Sequence, residues 1–376
     1  TVKFGGIGRS ISEMAFGNGI GFKFASDIEE DKLFLPRYGS IIVEMKEEPS
    51  RLLEDIDYKM LGTTIDEEYI EVLGEKIDLM QLMEDWAKPL EDVFPTEEGE
   101  HVSRDMEYTK GIKKSSNVKT SKPKVFIPIF TGTHGEYDMA KSFEKAGGMV
   151  DSFVFRTFTK EDIESSYKEM AKRIRECQIL AIPNGAVLGD EPDGGGKLIA
   201  NILKNPYVKE AVMDLLNNRD GLILGIGNGF QGLMKSGLIP YGEIVDLDED
   251  SPNITFNKCG HHVSTMVKTR VISNLSPWLS NREVGDIQIL PLSTKEGRIV
   301  GNKEIIEKLI EKGQIANQYL DFDPTGSVGG IESITSPDGR VLGRIASSDR
   351  IDSGLYKNVE KSEYEELFKA GIDYFS

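Results

Sequence analysis

Apolar residues fall along this chain in two rhythms. From Lys124 onward, short apolar runs alternate with stretches whose apolar positions recur every three to four residues. The runs Val125–Phe130, Val150–Phe155, Ile179–Ile182 and Leu222–Leu224 predict strands buried on both faces. Between them, the spacing over Tyr137–Ala146 (Ala140, Phe143, Ala146), Ile163–Cys177, Lys197–Lys204 and Val208–Asn217 predicts helices. This alternation implies an α/β unit with a largely parallel sheet covered on both faces. In such sheets a site forms at the carboxyl ends of the strands, so the loops Thr131–Glu136, Pro183–Gly196 and Gly225–Gly229 matter most. After Pro240 the pattern is β-rich, with strands expected at Val267–Ser273, Ile287–Pro291, Ile299–Val300 and Val341–Ile345.

The first 95 residues read as a smaller α+β unit. A helix opens at Gly5-Gly6, shows Ile7, Ile11, Met14 and Ala15 on one face, and closes at Gly17–Gly19. Strands are expected at Ile20–Phe24, Ser40–Met45, Leu61–Thr64 and Tyr69–Val72, a helix or turn at Arg51–Asp55, and a helix at Leu79–Lys88. The glycine-rich helix start at Gly5 and Gly6 either holds phosphate or permits tight packing. Residues 96–123, with the tract KGIKKSSNVKTSK at 110–122, have few apolar anchors and read as a solvated tether. The division is therefore 1–95, a linker 96–123, and 124–376.

Charge narrows the function classes. The 63 acidic and 45 basic residues leave a net charge of −18, which argues against nucleic acid or an anionic membrane as main partner. No run approaches the roughly 20 apolar residues of a membrane span. Cys177 and Cys259 are the only cysteines, so no disulfide framework is expected and a cytoplasmic setting fits. Thr1 leads straight into VKFGG, so the chain is expected to be cut from something longer or processed.

The stretch Gly221–Leu233 carries the clearest chemistry. Its apolar run turns into a helical pattern through Gly225, Gly227 and Gly229, the layout of a nucleophile elbow. The outer glycines let backbone pass close by, and the middle residue is thrust out at the helix N-terminus, where a thiol would have a lowered pKa. The middle residue is Gly227: the elbow is present and its nucleophile is absent. Phosphate-loop readings fail on spacing, because Phe230 stands where a dinucleotide loop needs glycine and Leu198 follows Gly196-Lys197. No metal site is expected. His261 and His262 would point to opposite faces of a strand, which leaves a Cys259–His261 thiol/imidazole pair open.

Several tracts resemble the glutamine amidotransferase domain of phosphoribosylformylglycinamidine synthase. They are KVFIPIF at 124–130, EYDMAKSFEKAG at 136–147, GDEPDGGGK at 189–197, NGFQGLMKSGLIPYG at 228–242 and VKTRVISNLSPW at 267–278. Further matches are GSV at 326–328, ITSPDGRVLG at 334–343 and GLYKNV at 354–359. The first unit, with FGNGIGF at 16–22, is similar to the end of that enzyme's synthetase region. The resemblance implies a class I, flavodoxin-like amidotransferase fold, preceded by a domain like the C-terminal part of aminoimidazole ribonucleotide synthetase-type proteins. It also implies a place in purine biosynthesis, a synthetase region or subunit as partner, and glutamine or ammonia as small ligands. ATP and Mg²⁺ belong to the full-length family enzyme, with none expected in this chain.

This sequence departs from the family where the chemistry resides. The family elbow carries cysteine where Gly227 stands. The family's His-Gly-Glu-Gly-Arg is Thr294-Lys295-Glu296-Gly297-Arg298 here, so the base position holds Thr294 and only the carboxylate, Glu296, remains. The oxyanion and substrate loop, Pro-Gly-Gly in the family, is Pro183-Asn184-Gly185, with Asn228 following the elbow. A Gly-Thr-Asn-Cys tract is Gly132-Thr133-His134-Gly135, and a late Gly-His pair is replaced at Ala346-Ser347. Two readings follow: a non-catalytic amidotransferase-like module that binds a synthetase, or the C-terminal part of a working ATP-dependent ligase that uses ammonia or a partner's glutaminase. A third is an unrelated hydrolase using Cys259 with His261 or His262.

Overall fold

The computed structural model describes residues 1–46, 56–90, 100–101, 106–111, 115–188, 190, 194–352, 354–357, 359 and 366–376. They fall into two units, Thr1–Glu97 and Glu98–Ser376.

In the first unit, α1 (Gly6–Phe16) is followed by β1 (Gly21–Phe24), β2 (Gly62–Ile65), β3 (Tyr69–Val72), β4 (Glu75–Asp78) and α2 (Leu79–Ala87). The strands form one sheet in the order β2-β1-β3-β4. Ile7, Ile11 and Ala15 of α1 bury against Phe22, Phe24, Ile70 and Leu79, the apolar face that the spacing predicts. Ser40–Met45, whose alternation predicts a strand, joins no sheet among the described residues, and Ile41 and Val43 are exposed. Alternation alone does not make a strand; a partner must supply the ladder hydrogen bonds. The turn expected at Arg51–Asp55 lies outside the described residues.

The second unit begins with β5 (Glu100–His101), β6 (Lys124–Ile129), α3 (Glu136–Lys145), β7 (Met149–Val154), α4 (Lys160–Glu176) and β8 (Ile179–Ile182). It continues through α5 (Lys197–Lys204), α6 (Pro206–Asn217), β9 (Leu222–Ile226), α7 (Asn228–Ser236) and the single turn α8 (Leu238–Tyr241). Thereafter come β10 (Asn253–Thr255), β11 (Val263–Val271), β12 (Ile287–Thr294), β13 (Arg298–Val300), α9 (Lys303–Glu311) and β14 (Ile315–Tyr319). The last elements are β15 (Phe322–Asp323), β16 (Ile331–Thr335), β17 (Val341–Arg344) and α10 (Glu366–Asp373). Helix starts follow their caps: Thr159 accepts from Asp162 N, Asn205 from Tyr207 N and Asn302 from Ile305 N. The β-rich expectation after Pro240 holds for the strands but omits α9 and α10.

One nine-stranded sheet, ordered β12-β11-β14-β16-β17-β9-β8-β6-β7, organises this unit. The half from β17 to β7 is parallel, with Leu180 beside Ile223 and Val125 beside Ile179. The remaining strands pair antiparallel. Alternate residues of β6 explain the two layers. Phe126 faces a core with Met170, Ile174 and Phe230, while Val125 and Ile127 face Met139, Phe143, Trp278 and Phe368. Phe143 meets Phe368 edge to face at 5.0 Å, so α10 closes the second layer. Fully burying an aromatic ring of this kind stabilises by about 1.5–3 kcal/mol.

The expectation of a solvated tether at 96–123 is corrected where that stretch is described. β5 pairs with β15, Met106 is buried, and Tyr108 N donates to Ile272 O at 2.7 Å. Ser116 N donates to Tyr374 O at 2.7 Å and Thr120 N to Phe375 O at 2.9 Å. These are mostly backbone bonds, which leave no mark on side-chain composition. Residues 96–99, 102–105 and 112–114 of the expected tether lie outside the described residues.

A chain that starts at Lys122 is therefore expected to be less stable than one that starts at Glu98. Loss of the Met106 contact and of these three hydrogen bonds removes roughly 3 kcal/mol or more. Urea unfolding of the two chains checks this; equal midpoints would restore the tether reading.

Candidate functional site

At the C-terminal end of β9 the chain reverses into α7 through Gly227, whose φ of 54° and ψ of −112° belong to neither helix nor strand. Only glycine takes such a conformation without strain. Gly227 N donates to the carbonyl of Arg344 on the neighbouring β17 at 2.8 Å, which fixes the height of the turn. At Gly229 a Cβ would lie 2.1 Å from Ile182 O, so α7 can approach β8 only with glycine there. The elbow predicted for Gly225–Gly229 is thus formed, and position 227 has no side chain.

Asn184 fills the space beside it. Its backbone carbonyl accepts from His134 N at 3.2 Å and Gly135 N at 3.1 Å, so the loop after β6 grips the loop after β8. Its side chain turns to the elbow, where Oδ1 accepts from Gly185 N at 2.9 Å and Asn228 N at 3.1 Å. A Cβ built on Gly227 would fall 2.3 Å from that Oδ1. Asn184, Gly185, Gly227 and Asn228, singled out separately along the chain, therefore meet at one point.

Glu296 joins them through Gln231 of α7. It is buried, its Oε2 accepts from Gly195 N at 2.6 Å, and its carbonyl accepts from Gln231 Nε2 at 2.8 Å. Gln231 Oε1 in turn accepts from Asn228 Nδ2, which also donates to Asp190 Oδ2 at 2.7 Å. Thr294, at the end of β12, accepts at Oγ1 from Glu296 N and so shapes the turn that carries the carboxylate. Asn257 secures the same turn: its Nδ2 donates to Thr294 O and its Oδ1 accepts from Gly297 N. Lys235 Nζ, on α7, donates to Asn253 Oδ1, and burial lowers its pKa against the opposing pull of Glu296 and Asp190.

Asp190, Gln231, Lys235 and Asn257 were not singled out by sequence reasoning. Gln231 lies in the NGFQ tract after the elbow, one helical turn beyond Asn228, and that spacing was the available signal for it. Asn257 and Lys235 gave none. Of the loop Pro183–Gly196, positions 189 and 191–193 lie outside the described residues.

Two other candidate sites do not assemble. The Cys259 thiol lies 3.6 Å from the backbone carbonyl of His261, and His262 Nε2 lies 3.0 Å from Ser293 Oγ. His261 and His262 precede β11 instead of lying on a strand. At Gly5-Gly6, two of the amides of the helix start are engaged: Gly6 N donates to Lys3 O and Gly8 N to Leu33 O. A Cβ on Gly6 would lie 2.4 Å from Leu33 O, so close packing accounts for the glycine.

Beyond β17, the Ala346-Ser347 positions lead into Asp349. Ser347 N donates to Pro291 O, and Ala346 N to Glu332 Oε1 at 2.9 Å, the latter carboxylate also pairing with Arg344 in full burial. Asp349 is buried with neither carboxylate oxygen hydrogen-bonded. Burial raises its pKa to about 7, with the Arg350 and Arg344 guanidiniums opposing and Asp138 reinforcing.

The sequence profile of the CobB/CobQ-like glutamine amidotransferase domain matches residues 122–375. The phosphoribosylformylglycinamidine synthase subunit PurQ of Treponema denticola is 27% identical over 283 residues, spanning 67% of this chain and 99% of that protein. PurQ of a Synechococcus strain is 36% identical over 132 residues, 35% of this chain and 54% of that protein. A solved structure titled PurLQS from Thermotoga maritima superposes with a TM-score of 0.51 at 18% identity, covering 68% of this chain and 100% of that one. At that identity the likeness is one of fold.

Gly227→Cys is expected to destabilise the fold by about 2–4 kcal/mol, from a side chain at a strained φ and displacement of Asn184 from two hydrogen bonds. Adding Asn184→Gly should recover about 1–2 kcal/mol, a coupling that a double-mutant cycle in urea reads directly. Strict additivity of the two changes would mean the side chains do not compete. For Asp349 the folded pKa of about 7 exceeds the ordinary value near 4. The folded state thus holds the proton more tightly, and stability falls as pH rises from about 4 to about 7. Asp349→Asn should abolish that slope and stabilise at pH 8 by on the order of 2–4 kcal/mol, as pH-dependent urea melts would record.

Proposed function

This chain belongs to the CobB/CobQ-like glutamine amidotransferase domain family, and on that premise we propose that it is an amidotransferase-like component of phosphoribosylformylglycinamidine synthase in purine biosynthesis that has lost its own glutaminase step. The observation that carries this reading is Gly227: the elbow is built, and no atom at its apex can attack an amide. Glutamine hydrolysis by a thiol enzyme requires a thiolate to add to the carboxamide carbon, and a base that takes a proton and returns it to departing ammonia. Glycine offers no nucleophile. The Thr294 hydroxyl has no useful basicity near neutral pH and is engaged with the Glu296 amide. Glu296 retains its buried place with no imidazole to orient.

The role left to the domain is to bind a synthetase subunit; the PurQ relatives are named as subunits of phosphoribosylformylglycinamidine synthase. The first unit is read as the end of a synthetase region, of the type ending aminoimidazole ribonucleotide synthetase-like proteins. The alternative, a working ATP-dependent ligase fed by ammonia, gains no support from Gly6, which packs against the Leu33–Leu35 backbone, or from Gly5, which packs against the Arg9 side chain. In this reading the protein acts in the cytoplasm and takes no cofactor of its own.

Ammonia release from glutamine tests the proposal. The unmodified chain and Gly227→Cys alone should stay at the level of a heat-killed control, since nucleophile and base act as a unit. Activity should require at least Gly227→Cys with Thr294→His, together with Lys295→Gly and Asn184→Gly. Release by the unmodified chain would overturn the proposal and make Cys259 the first suspect. Co-elution with a synthetase subunit of the same pathway is the companion result expected.

A further inference from the structure

Asn184 does more at the elbow than tolerate a missing neighbour. Two backbone N–H groups from different elements, Gly185 after β8 and Asn228 at the start of α7, converge on its Oδ1 at 2.9 and 3.1 Å. Such a pair is the arrangement that stabilises the oxygen of an amide under attack. The atom held there is itself the oxygen of a primary carboxamide, the same functional group as the end of a glutamine side chain. Its orientation is determined, because an amide nitrogen at that point would face two donors. Asn184 is 8% exposed and anchored at its own carbonyl by His134 N and Gly135 N, so the side chain is presented from a fixed base.

We propose that the Asn184 carboxamide is a built-in occupant of the carboxamide pocket, and that it, rather than collapse of the pocket, keeps free glutamine out. This deepens the reading given above, and rests on it for what the pocket's ligand class is. The backbone donors survive, and so do the Gln231, Asn228 and Glu296 contacts around them. A side chain at position 227 and the Asn184 carboxamide exclude one another, since a Cβ there falls 2.3 Å from Oδ1. Loss of the nucleophile and gain of the internal amide are therefore one structural change.

The test is calorimetric titration of the full chain with L-glutamine, beside Asn184→Gly and Asn184→Asp. Removing the internal acceptor frees two hydrogen bonds, so Asn184→Gly should bind glutamine at least about tenfold more tightly than the unmodified chain. Asn184→Asp keeps an acceptor oxygen in place and should bind no better than the unmodified chain. Equal affinity in the unmodified chain and Asn184→Gly overturns the proposal, as does an Asn184→Gly protein that melts cooperatively and binds nothing. Should Asn184→Gly not fold, amide hydrogen exchange on the unmodified chain decides. Slow exchange at both Gly185 and Asn228 supports the internal bond, and fast exchange at either overturns it. Binding by Asn184→Gly with ammonia release would overturn the lost-glutaminase reading while upholding this one. Binding without release supports both.

Discussion

The site depends on one close approach. Asn184 Oδ1 and the position of a side chain on residue 227 occupy the same space, and the backbone groups that force this belong to three separate loops. The loop after β6 holds the Asn184 carbonyl, the loop after β8 presents its side chain, and the turn into α7 supplies a second donor. Each contact is ordinary in strength, near 1 kcal/mol net. Together they fix the Asn184 amide oxygen between two backbone donors at the start of α7. Gly227 follows from this arrangement as much as it permits it.

Around that point a buried polar framework links the elements, with Asp190 Oδ1 and Asn228 Oδ1 left without a hydrogen bond. Gln231 ties α7 to the Glu296 turn, Asn257 ties that turn to the loop before β11, and Asn228 reaches Asp190. Beside the elbow, Arg344 and Glu332 form an ion pair with both side chains fully buried, and the Arg344 carbonyl holds Gly227 N. Breaking such a pair typically costs about 3–5 kcal/mol because the remaining charge is stranded. The groups that build the site are thus also groups that hold β17, β9 and α7 together. Stability alone gives them a reason to be present.

Much of the α/β half was legible from spacing. Apolar runs located β6, β7, β8 and β9, and the helical period located α3 to α6, because burial on two faces leaves a pattern in composition. Less was legible where backbone carries the contact. Residues near Tyr108 and Ser116 are held within the second unit by main-chain bonds, so a Lys- and Ser-rich sequence read as solvent-exposed. Ser40–Met45 has a strand's alternation but no ladder partner. The elbow was readable because three spaced glycines have few other uses. The Asn184–Gly227 contact was not, since it joins residues from different loops through one side-chain torsion. Motif comparison marked both positions as departures without showing that they are the same departure.

The measurement that bears most directly on this account is electron density for Pro183–Gly185 and Ile226–Asn228 in a crystal of the chain grown without glutamine. The account predicts the Asn184 side chain turned into the elbow, with its amide oxygen at hydrogen-bond distance from both Gly185 N and Asn228 N. It also predicts Gly227 at positive φ. An Asn184 side chain turned away, with solvent on the two backbone donors, would contradict it.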